Sequence, residues 1–311
     1  MQPTCSIVCT TYNHEKFSSL SLASIFKQDY PNIEIVIVDD GSTDGNVEVI
    51  RETLKNSPFP FVLIAQDNTG NIPMNVNRGI AAATGDYISF LSLDDIIFED
   101  AISSKMEIIN NKPDTVFIAN TCNTEINDAG ETTNAMFKSP LYKVDVDSVD
   151  FLLETEFEKI GTFYLQAAVI RTDVIRTFGG MDEDISGDDL ILRTKLFKLM
   201  IKEGASDFAL LHKPALAYRK HDANLHKNVW NQIKTVTDWH ARYFPDRPFP
   251  STGRSWVKMF VNRSLKAGNT QAIHKARDYS PILADIIDQH LRSWKARMRI
   301  FKNHVRSILR K

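Results

Sequence analysis

Ile33-Glu34-Ile35-Val36-Ile37-Val38-Asp39-Asp40-Gly41-Ser42-Thr43-Asp44 is a β-branched run that ends in two carboxylates and a turn. A run this apolar suits a strand buried on both faces, as in a parallel sheet covered by helices. A second segment of the same kind follows, Tyr87-Ile88-Ser89-Phe90-Leu91-Ser92-Leu93-Asp94-Asp95. Ligands of parallel sheets collect at the carboxyl ends of the strands, so two strands ending in paired aspartates imply one shared site. Like charges buried there are costly unless a cation or a ligand's polar groups neutralise them. A metal-bound nucleotide fits that requirement.

Outward from these segments the chain alternates between two periods. Residues 5–11 read as a strand, and apolar positions Phe17, Leu20, Leu22, Ile25 and Phe26 predict a helix over 17–26. Asp44 is placed to cap a helix over 47–54, residues 61–65 form a third strand, 75–83 a helix and 87–91 a fourth strand. That β-α-β-α-β-α-β order predicts a parallel sheet with right-handed crossovers. A helix over 98–110 and a strand over 115–120 follow, then a polar stretch, 123–149, expected to form a long loop or hairpin over the site. Helices are predicted over 149–157 and 188–202, with a strand over 164–171 between them, and the chain is mostly helical from about residue 230.

The chain has 311 residues, 43% apolar and 24% charged, which is ordinary globular composition. Its net charge of −2 conceals an acidic first hundred residues and a basic last hundred. The three cysteines, Cys5, Cys9 and Cys122, form no spaced framework, so free thiols in a reducing cytoplasm are expected. The start runs directly into a strand, leaving no room for a signal peptide, and no stretch of about 18 apolar residues suggests a span. A cytoplasmic protein is expected, with peripheral attachment to the inner face of the membrane left open.

Ser6-Ile7-Val8-Cys9-Thr10-Thr11-Tyr12-Asn13, the segment 24–32, Glu34 to Asp44, Asn77-Arg78-Gly79 and Ala83-Thr84-Gly85-Asp86-Tyr87-Ile88 together resemble the family 2 glycosyltransferases. Weaker resemblance continues through 178–182, Gly187-Asp188-Asp189-Leu190 and Tyr218-Arg219-Lys220-His221, and none is found beyond about residue 230. The resemblance implies a GT-A fold: a Rossmann-like α/β, mostly parallel sheet flanked by helices, here with a basic helical C-terminal extension. It also implies inverting transfer of a hexose or N-acetylhexosamine from a UDP-sugar, with Mn²⁺ or Mg²⁺, to a glycan or lipid-linked saccharide. Bacterial cell-surface polysaccharide synthesis is the expected setting. Position by position, Thr10 and Tyr12 resemble uridine-lining residues, Asp39 the acceptor of the uracil N–H, Asp94 the metal carboxylate, Asp188 the catalytic base and His221 a late metal ligand. The catalytic domain is expected over 1–228, with a nucleotide-binding half (1–110) and an acceptor-binding half (111–228). The helical extension is expected over 229–311.

Each of these residues also has a plainer reading. Asp94-Asp95 could cap the next helix, and Asp40 could simply shape its Gly-Ser turn. Tyr12 could pack over the sheet edge, and Asn77, expected at the nucleotide crevice, could only brace a loop. Asp188, with Asp189 as the fallback base, could be a carboxylate favoured by a helix N-terminus, as could Asp189. The first Asp of the family's Asp-x-Asp is Ser92 here, which can hold a water or a ribose hydroxyl but brings no charge. Arg219 or Lys220 could meet the diphosphate. Of the histidines only His221 shows a metal context; His14 and the remaining six do not. Two other readings stand beside the enzyme: a degenerate module that binds nucleotide-sugar or partner proteins without turnover, and a sugar nucleotidyltransferase, whose Gly-rich phosphate loop is missing.

In the tail, Leu291, Trp294, Met298, Phe301, Val305 and Ile308 recur at helical steps among Arg and Lys residues. Residues 290–311 therefore read as a helix for an anionic membrane surface, the alternative being docking on the domain or on a second subunit. A nucleic-acid partner is not expected, because few aromatics are interleaved with the basic residues. Donor sugar, linkage and oligomeric state leave no readable signal.

Overall fold

The computed structural model describes residues 2–185, 187, 189–221, 229–293 and 298. It divides into two compact units, one formed by 1–156 with 161–224, the other by 157–160 with 225–311.

The first unit holds β1 (Cys5–Thr11), α1 (Ser18–Phe26), β2 (Ile33–Asp39), α2 (Asn46–Leu54), β3 (Phe61–Ala65), α3 (Ile72–Ala82) and β4 (Tyr87–Ser92). It continues with β5 (Ile96–Ile97), α4 (Ser103–Asn111), β6 (Phe117–Asn120), β7 (Cys122–Ile126) and β8 (Thr132–Lys138). After most of α5 (Val149–Lys159) come β9 (Tyr164–Arg171), α6 (Thr172–Thr177), α7 (Asp189–Glu203), β10 (Phe208–Leu211) and β11 (Leu216–Arg219). The seven-stranded sheet runs β10-β6-β9-β4-β1-β2-β3. β1, β2, β3 and β4 pair in parallel, as their helical crossovers require, and β9 inserts antiparallel between β4 and β6. The predicted mostly parallel sheet flanked by helices is thus present.

Alternation along β1 and β2 fills two cores. Ile7, Cys9, Ile33, Ile35 and Ile37 join one apolar cluster, while Val8 and Val36 join the other, and all are buried. At Gly79 an added Cβ would stand 2.3 Å from Val8 Cγ1, so α3 lies closer to β1 than any side chain would permit. α3 starts from Asn71, whose side chain accepts the Met74 N–H at 3.1 Å, with a proline in its first turn.

Several boundaries differ from expectation for identifiable reasons. Asp44 does not cap α2; its carboxylate accepts the N–H groups of Asn46 and Glu15 at 3.0 and 3.1 Å, and Gly45 holds the cap position. The helix predicted from residue 98 starts at Ser103, because Ile96–Ile97 pair as β5 and the chain turns after them. The polar stretch after residue 122 contains the hairpin β7–β8, which joins β11 and β5 in a second sheet ordered β5-β11-β7-β8.

The second unit contains α8 (Val229–Tyr243), α9 (Ser251–Ala267), α10 (Thr270–Tyr279) and α11 (Pro281–Arg292). Its buried Trp239 packs with Phe157 and Phe244, and the Arg247 guanidinium lies 3.6 Å from the Phe157 ring centre. α11 ends at Arg292, and Ser293 is extended, so the apolar face counted from Leu291 does not run on as one unbroken helix from 290. Most of 294–311 lies outside the described residues. Among the described residues, no helix is long and apolar enough to cross a membrane.

Lys105 of α4 is wholly buried, with its Nζ donating to the Ala101 carbonyl at 2.6 Å. Burial lowers its pKa to about 7, helped by repulsion from the neighbouring Lys213 and opposed by weaker pulls from Cys5 and Asp100. Between that value and about 10.4 the unfolded chain carries a proton that the folded chain lacks, so stability rises with pH through this window. The cost of burial, of order 4 kcal/mol, is largest at and below pH 7 and fades towards pH 10. Lys105→Met is therefore expected to raise the melting temperature at pH 7. Paired thermal melts should show the gap to wild type shrinking as pH rises to 9.5.

Candidate functional site

The carboxyl ends of three parallel strands lie side by side: Thr11 is in register with Asp39, and Thr10 with Ser92. Asp39 is fully buried; its carboxylate accepts Ser42 N at 2.9 Å, Ser42 Oγ at 2.6 Å and Asn46 Nδ2 at 2.8 Å. Those bonds leave about one of its roughly four acceptor directions unused. Asp40 instead binds the loop after β3, accepting from Gln66, Thr69 and Gly70. Burial pushes its pKa up, but the Thr69, Asn75 and Gln66 hydrogen bonds outweigh that and hold it below the usual carboxylate range. Gly41 makes this turn feasible: its φ is +70°, and a Cβ there would meet Asn68 N at 2.4 Å. Tyr12 stands exposed on the same rim, beside the Asn13–Ser42 hydrogen bond.

The second strand end is built by a local pairing. After Asp94-Asp95 the chain enters β5, and Ile96 pairs antiparallel with Ala217 of β11. Two residues later along β11, the Arg219 N–H reaches Asp95 Oδ1 at 2.6 Å, and His221 Nε2 lies 2.9 Å from Asp94 Oδ2. His14, in the loop after β1, brings its Nε2 to 4.0 Å from the same oxygen. The His14 carbonyl accepts the N–H groups of Phe17 and Ser18, which starts α1 and fixes this loop. Buried Phe17 packs against both, its ring 5.3 Å from the His221 ring and 6.4 Å from that of His14, while the two imidazoles meet edge to face at 6.1 Å.

His14, Asp94 and His221 thus present ligand atoms within 4.8 Å of one another. Two donors about 2.1 Å from one ion at a right angle stand about 3 Å apart, close to the Asp94–His221 separation. Asp94 Oδ1 and His14 Nδ1 are buried without a hydrogen-bond partner. Buried polar atoms are seldom left so, and a bound cation or its water would satisfy them. Burial lowers the His14 pKa despite the nearby Asp94, which keeps the imidazole in its ligand form. The donor set therefore fits a divalent metal.

The two neighbouring aspartates divide their charge. Burial raises the pKa of both, but the His221 hydrogen bond, the nearby His14 imidazole and a Ser92 hydrogen bond bring Asp94 below its ordinary value. Asp95, more deeply buried and beside Asp94, is pushed well above that value. The charge is therefore held more readily on Asp94, and Asp95 anchors β11.

Arg219, expected near a diphosphate, is 2% exposed. Its guanidinium donates to the carbonyls of Asp94, Asn127 and Asp128 at 2.8, 3.1 and 3.1 Å and lies over the Phe17 ring. Asn77 clasps the loop before α7: its Oδ1 accepts Met181 N and its Nδ2 donates to the Met181 carbonyl and to Glu183. Asp188 lies outside the described residues. Asp189 pairs with Arg193 at 3.1 Å and accepts the Leu165 N–H at 3.3 Å, while Arg193 grips buried Glu156 in two bonds. Ser92 donates its N–H to Gln166 Oε1 at 2.9 Å.

Residues 6–174 match the family described as Glycosyl transferase family 2. Glycosyltransferase GlyG of Streptococcus pneumoniae serotype 4 is 36% identical over 123 residues, 40% of either chain. This chain spans 40%, 42% and 28% of the length of three curated relatives that it matches. GalNAc(5)-diNAcBac-PP-undecaprenol beta-1,3-glucosyltransferase of Campylobacter jejuni is 23% identical over 285 residues, 88% of this chain and 86% of that one. The crystal structure of S. aureus TarS 1-349 in complex with UDP-GlcNAc superposes with a TM-score of 0.61 at 17% identity, over 96% of this chain and 89% of that chain. That likeness establishes the shared fold.

Arg219→Ala leaves buried carbonyls without donors and is expected to cost about 3 kcal/mol. Thermal unfolding should then begin roughly 6–12 °C lower, whereas Asp94→Asn should shift it by no more than about 3 °C. An Arg219→Ala protein as stable as wild type would remove the anchoring role given to this side chain.

Proposed function

Because this chain belongs to glycosyl transferase family 2, we propose that it transfers a hexose or N-acetylhexosamine, with inversion, from a UDP-sugar to a hydroxyl of a glycan or lipid-linked saccharide. The observation that carries this is the single carboxylate Asp94, ionised and flanked by His14 and His221, at the strand end next to Thr10, Ser92 and Asp39. The UDP-sugar donor is supported by the fold shared with TarS, whose crystals hold UDP-GlcNAc. A lipid-linked acceptor is supported by the Campylobacter relative, named for an undecaprenol-linked saccharide.

Two imidazoles and one carboxylate suit Mn²⁺ better than Mg²⁺, which demands oxygen donors in near-octahedral array. His14 supplies a neutral donor where the family's first acidic residue is replaced by Ser92. A divalent cation held there would neutralise the charge that builds on the departing diphosphate. Thr10, Tyr12 and the free acceptor direction of Asp39 hold the nucleotide, and Asn77 braces the segment at 181–183. As the acceptor oxygen bonds to the anomeric carbon, the bond to the diphosphate breaks on the opposite face. The hydroxyl proton passes to Asp188, with Asp189 the fallback, and the negative charge leaves with UDP. The pairing of Asp189 with Arg193 favours Asp188 for that task.

UDP release from UDP-glucose, UDP-galactose and their N-acetyl forms, measured with Mn²⁺, tests this reading. Asp94→Ala and His221→Ala are expected to lower the rate by about 100-fold or more. Asp188→Asn should lose about 10²–10⁴-fold in transfer while nucleotide affinity is kept, and Asp189→Asn should lose less than about tenfold. Wild-type protein that binds UDP with Mn²⁺ but turns over none of the four donors would be a binding module.

The basic C-terminal segment supports membrane-surface attachment through its sequence pattern, each Lys or Arg near anionic headgroups adding about 1 kcal/mol. Removing 294–311 is expected to abolish sedimentation with anionic phospholipid vesicles and leave UDP release intact. Undiminished sedimentation would rule out this role for the segment.

A further inference from the structure

Lys220 sits between Arg219, which anchors the strand, and His221, which meets Asp94. It continues the β11–β7 ladder by donating its N–H to the Ile126 carbonyl at 2.8 Å. Its side chain pairs with buried Glu125 and lies 5.7 Å from the centre of the Phe137 ring. Phe137, opposite Asn123 on β8, is 43% exposed although it is aromatic. Its ring meets Tyr164 at 5.7 Å with the planes 49° apart, so the two rings form a splayed pair. The Tyr164 hydroxyl makes no hydrogen bond among the described residues, and burial and the nearby Glu125 push its pKa up.

This wall has a defined place. Tyr164 opens β9 at the sheet end where Ser92 contacts Gln166, and the next residue, Leu165, donates its N–H to Asp189. In the sheet order β9-β4-β1-β2, β9 lies on the opposite side of β4 from β1 and β2, whose ends carry Thr10 and Asp39. The rings therefore flank the first turn of α7, away from the proposed nucleotide side.

We propose that Phe137, Tyr164, Lys220 and Glu125 form the subsite for the acceptor saccharide, with a pyranose laid across the two rings. The apolar C–H face of a sugar ring is desolvated by an aromatic surface, and its equatorial hydroxyls need donors and acceptors at the edge. The Lys220–Glu125 pair and the Tyr164 hydroxyl provide both. The inference rests on the transferase reading above and deepens it: the acceptor site accepts a neutral sugar ring by stacking, and β8 contributes its wall. Met136, next to Phe137 and exposed, points to the other face of the strand and serves as a control.

Saturation-transfer difference NMR on the full chain loaded with UDP and Mn²⁺, with lactose, maltose and chitobiose as probes, tests the subsite. At least one probe should be saturated by wild type and by Met136→Ala, and lose at least fivefold in Phe137→Ala and Tyr164→Ala. Phe137→Tyr should restore the signal, and calorimetric UDP affinity with Mn²⁺ should agree within twofold in all variants, which also shows that they fold. Saturation of none of the three sugars, or equal saturation in Phe137→Ala and Tyr164→Ala, would overturn the subsite. Absence of UDP binding in wild type would instead overturn the transferase reading.

Discussion

Two carboxyl groups cannot both be ionised inside a protein at adjacent positions of one strand end without a large electrostatic cost. Asp94 and Asp95 meet that constraint by taking different partners. Asp95, its pKa pushed up by burial and by the neighbouring Asp94, accepts a backbone N–H from β11, while Asp94, its pKa held down, faces two imidazoles. The two-residue strand β5 exists because this exchange holds β11 against it, and β11 in turn delivers His221. Buried Arg219 closes the arrangement from below, bonding the Asp94 carbonyl and the 127–128 turn. The site is thus a consequence of how one costly pair is accommodated.

That same short pairing joins the two sheets. The seven-stranded sheet aligns Thr10, Asp39 and Ser92 along one edge, and the four-stranded sheet brings its β7–β8 hairpin to the opposite flank of Asp94. Lys220 points to the opposite side from Arg219 and His221, because neighbouring side chains of an extended strand alternate, and Arg219 and His221 share the face towards Asp94. One turns to the main chain, one to the hairpin and one to the carboxylate. The proposed nucleotide side and the proposed acceptor side lie on the two flanks of Asp94 in this arrangement.

Much of the fold was readable because its signals are local. The apolar runs at Cys5–Thr11, Phe61–Ala65 and Tyr164–Arg171 were read with the observed bounds, and the helices between them followed from three- and four-residue spacing. β5 escaped because two isoleucines after a carboxylate pair carry no alternation, and pairing with a strand some 120 residues later decides their state. The polar stretch after residue 122 looked irregular because β8 is exposed along its whole length and has no buried face to mark it. His14 was passed over for a related reason. Its proximity to Asp94 and His221 depends on chain segments far apart in sequence, although its position just past the carboxyl end of β1 was the one available hint. The helix drawn from residue 290 is interrupted at Ser293, a break that amphipathic counting does not register, and most of 294–311 lies outside the described residues.

The central claim is that His14, Asp94 and His221 act together as one cation site beside the nucleotide. Anomalous diffraction at the manganese edge, from crystals grown with UDP and Mn²⁺, tests it most directly. One Mn²⁺ bonded to the Asp94 carboxylate and to both imidazoles, with the diphosphate oxygens completing its shell, is the expected result. A manganese peak away from Asp94, or one bound there while His14 remains turned aside, would contradict it.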